Sequence, residues 1–539
     1  MEDLTVSSQP IQDEGPKAAR SADLGISASE APAESTSTLW MRRSILAAFW
    51  AVVIFFGLPQ WMWATSIPRS ELPLDRMDAW ASGKACDLHF PISLSINGPK
   101  LEGGQLAILS HDTERILSER NPYSLYSFNV IQSVPSAINS SFPMAVLGDS
   151  TPSLQIEYEA GEAILRVRYP PSKTRMLSSF ISQQIARSFE DEQAAVSYKL
   201  ENSPLSRGQH ARHLNDQARQ SLAKRSTRSF KPASTYHLTF SMFVASATPS
   251  SWEVEEAFEQ YLAPLLQPLL STSRFTVDTQ VQLYAAFSPS IAGPLLDETD
   301  STWKLQQSDL SGFINAAEWP LSPSIGSGPT INLVLYVPSE EQTPMVIAQT
   351  KGTSWIIPQW GGVQIFNYND KYKHSLSKDD LRGIMLTFGD QLTSLLGLPS
   401  QPASLSMRIS SLTRERTTSL MLSASSTLGA LSRLTLKLTS IAIPETVAKS
   451  VDETIIRLEQ SCQNLRKGNF QVALEHARIA EEEAEKAFFE PSMVGQVYFP
   501  EEHKVAVYVP LLGPMSVPLL MTALKELKAL RKRPKVKST

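Results

Sequence analysis

Two long stretches without a charged side chain, one near each end, constrain this chain more than any other feature. From Ile45 to Trp63 runs ILAAFWAVVIFFGLPQWMW, about 19 residues, enough as a helix to cross ~30 Å of hydrocarbon. From Val505 to Leu524 runs VAVYVPLLGPMSVPLLMTAL, again uncharged. Arg42 and Arg43 precede the first run; Lys525, Lys528, Arg531, Lys532 and Arg533 follow the second. Lys and Arg beside a span stay cytosolic, so both termini are expected in the cytosol and residues 67–503 on the far side. Trp40, Trp50, Trp61 and Trp63 include residues at the interfacial positions that aromatics favour. A cleaved signal peptide ending near Ala64-Thr65-Ser66 is the rival reading. It fits less well, because the run exceeds a signal core of about 7–15 residues and a long arm precedes it. The fold class expected is therefore a two-span membrane protein, with a mixed α/β lumenal domain and a helical segment leading into the second transmembrane helix.

The second run carries Pro510, Pro514 and Pro518, spaced by four along one helical stripe. Each removes a backbone donor where no water can replace it, which points to packing against neighbouring helices rather than a lone kinked anchor. The last residues place Lys537 and Lys535 third and fifth from the end, the pattern of a cytosolic dilysine address for return to the endoplasmic reticulum. The net charge is −5, yet residues 525–539 hold seven Lys/Arg against one Glu. Beside an apolar run such a tail reads as juxtamembrane, with no nucleic-acid partner.

Six segments follow: a disordered cytosolic arm (1–43), a span (44–66), a lumenal mixed α/β domain (67–410), a lumenal helical segment (411–503), a second span (504–524) and a basic tail (525–539). Within the α/β part, Leu88–Ile96 alternates as a strand, with Pro91 suggesting an edge. Leu154–Tyr158 and Ala163–Tyr169 form a hairpin. Met176–Phe189 has a helical stripe. Tyr236–Ala245, Phe275–Phe287, Ile331–Val337 and Gly362–Asn367 read as strands. Trp252–Leu270 reads as a helix capped by Ser251 and disturbed by Pro264 and Pro268, and Asp379–Leu396 as another. From Leu412 to Phe489 helical periodicity is nearly continuous, broken at Ile443-Pro444 and Gly468-Asn469, so that 445–467 and 470–489 form an antiparallel hairpin.

Catalytic motifs are absent: no nucleophile elbow, HExxH, P-loop or dinucleotide fingerprint stands in a suitable context. His210 and His213 could share a helix face but lack further ligands nearby, so no metal is expected. The two cysteines, Cys86 and Cys462, exclude a Cys-rich scaffold; whether they pair stays open. Asn139-Ser140-Ser141 is one N-glycosylation acceptor. Trp360-Gly361-Gly362 is a tight aromatic loop, either an interface or a turn entering a core strand.

The ordered set of motifs resembles the PIG-S family, a subunit of the glycosylphosphatidylinositol (GPI) transamidase. AFFEPSMVGQVYFPEEHKVAVYVPLLGPMSVPLLM from Ala487 to Met521 carries its Phe-Phe-x-Pro-Ser, its Tyr-Phe-Pro entry to the membrane and its proline-spaced span. GLPQWMWATSIPRSELP from Gly57, YHLTFSMF from Tyr236, INLVLYVP from Ile331 and PQWGGVQIFN from Pro358 match in order. Residues 98–150 and 203–231 follow no family pattern, and Pro68 stands where a tyrosine is expected. The resemblance implies a non-catalytic role supporting assembly and substrate or lipid access during GPI attachment in the endoplasmic reticulum membrane. It implies no cofactor, a separate caspase-like catalytic subunit (PIG-K), PIG-T, PIG-U and a Gaa-type subunit as partners, and indirect contact with GPI lipid and proprotein. The alternatives are an independent membrane-tethered lumenal hydrolase or transferase, and a tethering or trafficking protein.

Overall fold

The computed structural model describes residues 35–57, 59–60, 63, 69–98, 101, 103–121, 125–132, 144–147, 155–158, 164–170, 175–201, 214–288, 291–310, 328–368, 374–401, 404–438, 441–493 and 502–531. The chain divides into a terminal unit, residues 1–66 with 502–539, and a body, residues 67–501. Each is described by itself. The terminal unit begins with α1 (Thr36–Val52), which continues as one wide turn over Val53–Gly57.

The body opens with α2 (Leu74–Ala81), β1 (Phe90–Asn97), α3 (Gly103–Arg120), β2 (Tyr126–Gln132), β3 (Met144–Leu147), β4 (Gln155–Tyr158), β5 (Ile164–Arg168) and α4 (Leu177–Glu201). Its sheet has the order β2-β1-β3-β5-β4 and is parallel except for β4. The β4–β5 hairpin falls where alternation placed it. β1 is not the edge strand that Pro91 suggested, since β2 and β3 flank it. The proline is tolerated because β3 pairs only with Ser95–Asn97, leaving that side of Pro91 without a ladder partner in β3. α4 extends twelve residues beyond the expected Phe189, to Glu201.

A second sheet follows α5 (Asp216–Arg228), whose first turn is capped by the Asn215 side chain accepting from the Ala218 amide at 2.7 Å. The elements are β6 (Thr235–Val244), β7 (Ser251–Trp252), α6 (Val254–Ala257), a wide turn over Phe258–Leu262, α7 (Ala263–Leu269), β8 (Arg274–Leu283), β9 (Leu295–Asp297), β10 (Thr302–Leu305), β11 (Thr330–Val337), β12 (Met345–Ile347), β13 (Ser354–Ile357), β14 (Gly361–Ile365), β15 (Ser375–Leu376) and α8 (Arg382–Leu395). Its order is β8-β6-β11-β14-β13, again parallel except for one outer strand, β13. Strand for strand this is the plan of the first sheet: opening strand, helix, flanking strand, third strand, hairpin, helix. The small sheet β12-β10-β9 and the β15-β7 pair are insertions into that plan.

β6 and β11 are buried at every position after the first, as central parallel strands covered on both faces must be. The helix expected over Trp252–Leu270 starts later. Ser251 and Trp252 pair with β15, and Glu253 takes the N-cap position without a side-chain cap bond. The wide turn over Phe258–Leu262 precedes Pro264, which sits in the first turn of α7 where its missing N–H costs least.

Three helices complete the body: α9 (Leu405–Lys437), α10 (Glu445–Arg466) and α11 (Phe470–Phe488). Both breaks lie where Pro444 and Gly468 mark them, and Gly468 has the positive φ of +78° that favours glycine. These helices are not separate from the first sheet. Leu428, Val451, Leu458 and Leu474 share one buried core with Phe90, Ile96 and Phe189. The second sheet has its own core, to which α9 contributes Ile409 and Leu412. Cys86, before β1, is disulfide-bonded to Cys462 on α10. Arg69 donates to the Thr435 carbonyl at 2.8 Å, placing a cation on the last turn of α9.

The terminal unit ends with α12 (Glu502–Arg531), which contains Pro510, Pro514 and Pro518. Among the described residues, one helical stretch is long and apolar enough to cross a membrane, Trp40–Gly57; α12 has a shorter apolar stretch, Ser516–Lys525. The structure thus shows a mixed α/β fold with one candidate span near the N-terminus.

Candidate functional site

The most unusual local sequence in the body is Arg414-Glu415-Arg416 on α9. Successive helical residues point about 100° apart, so three charges in a row reach most of the way round the helix. All three are buried, at 5%, 3% and 3% exposed. Each meets a different element. Arg414 grips Glu192 of α4 with two parallel bonds, Nε to Oε1 at 2.6 Å and Nη2 to Oε2 at 2.7 Å. The same carboxylate accepts from the Tyr126 hydroxyl at 3.0 Å and the Ser411 hydroxyl at 2.5 Å. Four donors thereby satisfy a buried anion that would otherwise be strongly disfavoured. The Arg414 guanidinium also lies 5.6 Å from the Phe189 ring centroid and 5.0 Å from that of Phe470, cation–π contacts that strengthen when water is excluded. Burial, then the Glu192 charge, pushes the Tyr126 hydroxyl well above its ordinary pKa, so it stays a donor.

Glu415 accepts from Arg225 of α5 at 2.5 Å. Arg416 donates to the Ser273 hydroxyl at 3.0 Å and the Leu396 carbonyl at 3.2 Å, with the Tyr236 ring 5.8 Å away. The triplet therefore ties α9 to α4, to α5, and to residues beside β8 and α8.

Beside Arg414 opens a cavity of about 530 Å³, bounded by α4, the start of α9, the end of α7 and the α10–α11 turn. Phe189, Met407, Phe470 and Val472 give it apolar walls, and Ser271, Ser410, Asn469 and Gln471 add hydroxyl and amide groups. Gln471 donates to the Ser271 carbonyl across it. The ionic pair in its wall is spent on itself, and no His, Cys or Lys lines it among the described residues. Such a surface can bind a neutral polar group but offers no nucleophile with a base.

Elsewhere, one His–Ser contact stands out, His89 Nε2 to Ser127 Oγ at 2.9 Å. It lies at the N-terminal ends of β1 and β2, opposite the strand ends where parallel sheets place ligands. Both cysteines are consumed in the disulfide. Among the described residues no three His, Cys, Asp or Glu side chains converge as a metal site.

The residues singled out in the sequence are scattered. Pro510, Pro514 and Pro518 are exposed along α12. Gly361 and Gly362 are buried at the start of β14, with Trp360 half-buried beside them. A Cβ on Gly361 would lie 1.9 Å from the Asn332 carbonyl oxygen, and one on Gly362 would lie 2.0 Å from Gln391 Oε1. These glycines admit close approach inside the sheet, and neither presents a surface. Asn139, His210, His213, Lys535 and Lys537 fall outside the described residues. Sequence reading missed the Arg-Glu-Arg triplet. Its signal was available: three charges in a row inside a helix whose neighbours Ile409, Leu412 and Leu420 are apolar leave no solvated face to hold them.

Comparison with known proteins agrees with the motifs. The family described as PIG-S, phosphatidylinositol-glycan biosynthesis class S protein, matches residues 48–533. A fission-yeast (Schizosaccharomyces pombe) protein named GPI transamidase component PIG-S homolog is 27% identical over 90% of this chain and 84% of its own length. Budding-yeast (Saccharomyces cerevisiae) GPI transamidase component GPI17 is 25% identical over 88% of this chain and 90% of its own. The human GPI-anchor transamidase component PIGS is 29% identical over 55% of this chain and 58% of its own. With the family match running from the first apolar helix through α12, the chain belongs to the PIG-S family.

Proposed function

We propose that this chain is a non-catalytic subunit of a GPI transamidase in the endoplasmic reticulum membrane, supporting assembly and access of substrate or lipid. The observation that carries the reading is the family match over residues 48–533, joined to relatives named as transamidase components. The Cys86–Cys462 bond supports a body in an oxidising lumen, where disulfides persist. The uncovered apolar surface of α1 and the wide turn that continues it, with Phe55 and Phe56 in that turn each 74% exposed, suits lipid contact. α12 acts as the second span, both termini lie in the cytosol, and the exposed stripe of Pro510, Pro514 and Pro518 packs against helices of other subunits, among them a caspase-like catalytic subunit. Lys535 and Lys537 return the protein to the endoplasmic reticulum.

Purification of the tagged chain in mild detergent should recover a caspase-like protease and multi-span partners, and depletion should reduce surface display of GPI-anchored proteins. A monodisperse lone chain, or display unchanged after depletion, would refute the assignment, the latter in favour of a general tethering role.

A further inference from the structure

A second cavity, of about 320 Å³, lies on the other side of the Arg-Glu-Arg triplet. It is bounded by the end of α4, by α5, by the Ser229–Pro232 approach to β6, by Leu396-Gly397 and by the 412–419 stretch of α9. Four cations line it: Lys199, Arg225, Lys231 and Arg416. Glu415 is the one carboxylate among the described lining residues, and Arg225 already holds it. Glu481 of α11 lies close enough to Lys231 to feel its charge. Glu415 also attracts Lys199, so the four lining cations outnumber the carboxylates that serve them. The Lys199 ammonium reaches the Glu415 backbone carbonyl at 3.4 Å, and Arg416 donates to a hydroxyl and a carbonyl. All of these acceptors are neutral.

Positive charges gathered in a partly dry cavity repel one another and lose hydration. Burial first, and then Arg225 and Arg416, lower the pKa of Lys199, against the raising effect of Glu415. A fold selected only for stability would place an apolar residue there. A water takes about 30 Å³ in the liquid, so the space suits roughly ten waters or a small anionic headgroup.

We propose that this cavity binds a phosphate group, held by Lys199 and Arg416 with Arg225 and Lys231 flanking. Arginine and lysine together match such an oxyanion in charge and donor number. The phosphate comes either from an inositol phospholipid headgroup or from free inorganic phosphate. The inference concerns the isolated chain, so it stands or falls apart from assembly into the transamidase.

The test is thermal unfolding of the full-length protein in detergent, titrated with inorganic phosphate or with inositol 1-phosphate. Sodium chloride of equal ionic strength is the control, because any ligand of the folded state raises Tm in a saturable way. The expected result is a saturable rise with phosphate beyond that with chloride. In Lys199→Met the apparent affinity falls at least tenfold, while Tm without phosphate is unchanged or higher, because a like-charge contact has gone. Lys231→Ala, at an exposed position, serves if Lys199→Met does not fold, and should weaken binding by a smaller factor. At least tenfold tighter binding of inositol 1-phosphate assigns the headgroup as the source; equal binding assigns free phosphate. A rise matched by chloride, a phosphate response that survives the loss of Lys199, or one unaltered in Lys231→Ala where Lys199→Met cannot be made, overturns the proposal.

Discussion

Arg414→Met removes the counter-ion of a carboxylate that is 1% exposed, leaving Glu192 with only the Tyr126 and Ser411 hydroxyls as donors. Losing one partner of a buried pair costs about 3–5 kcal/mol. Glu192→Gln strands the guanidinium in turn, at a comparable cost of about 3 kcal/mol or more. The double variant removes both charges, and Gln at position 192 still accepts from Tyr126 through its one amide oxygen, while its NH2 faces the Ser411 hydroxyl, which can turn to accept from it. Its cost should therefore be about 2 kcal/mol, from imperfect packing and an amide donor left without a partner. Singles summing to roughly 6–8 against a double near 2 give a coupling of about 4–6 kcal/mol, well beyond the ~0.5 kcal/mol scatter of independent sites. If the body, residues 67–501, unfolds as one unit, its unfolding entropy is roughly 0.9 kcal/mol per degree, and each single variant lowers Tm by about 3–5 °C. Thermal unfolding of the full chain in detergent reads all three. Additive single and double shifts, or an Arg414→Met shift under about 1 °C, would refute the reasoning.

Cys86→Ser should cost about 2–5 kcal/mol, since the bond closes a loop of 376 residues; the check is a Tm drop and loss of the mobility difference between reduced and non-reduced gels. Gly361→Ala should largely abolish folded protein, because its Cβ meets backbone at Asn332, whereas Gly362→Ala should cost less, because it meets the Gln391 side chain; expression and protease resistance should rank them in that order. Asn139→Gln should remove a glycosidase-sensitive mobility shift if the body is lumenal, and an unglycosylated wild-type chain would fail to support that placement. Replacing Pro510, Pro514 and Pro518 together by Leu should weaken co-purification of other subunits, and unchanged recovery would count against packing at that stripe.

Local chemistry carried much of the fold into view. Alternation located the β4–β5 hairpin and β6, Pro444 and Gly468 marked the helix breaks, and a short apolar run marked β11. What stayed hidden was set by partners distant in sequence. Nothing near Pro91 says that β3 pairs only with the far end of β1. Nothing near Cys86 points to Cys462, 376 residues away. The separation of the strands into two sheets of one plan was illegible for a related reason. Strand order depends on which apolar faces meet, and the insertions β9, β10 and β12 interrupt the spacing that would have shown a repeat. The Arg-Glu-Arg triplet was legible in principle, as a pattern that no solvated helix face can accommodate.

That triplet also explains how α9 keeps its register between its neighbours. Apolar contacts alone discriminate poorly between neighbouring registers, because hydrophobic swaps of similar volume are tolerated. The charges do discriminate. A slip of α9 by one residue in either direction puts an arginine, 414 or 416, where Glu415 meets Arg225. It also brings either Glu415 against Glu192 or Thr413 where Arg414 had been. Each outcome strands at least one buried charge, at several kcal/mol, where an apolar helix would have lost far less. The alternation of sign at three consecutive buried positions thus makes the seated register the one in which α4 and α5 are both satisfied. It fixes the helix that contributes to both cores, and with it the two cavities that open on either side.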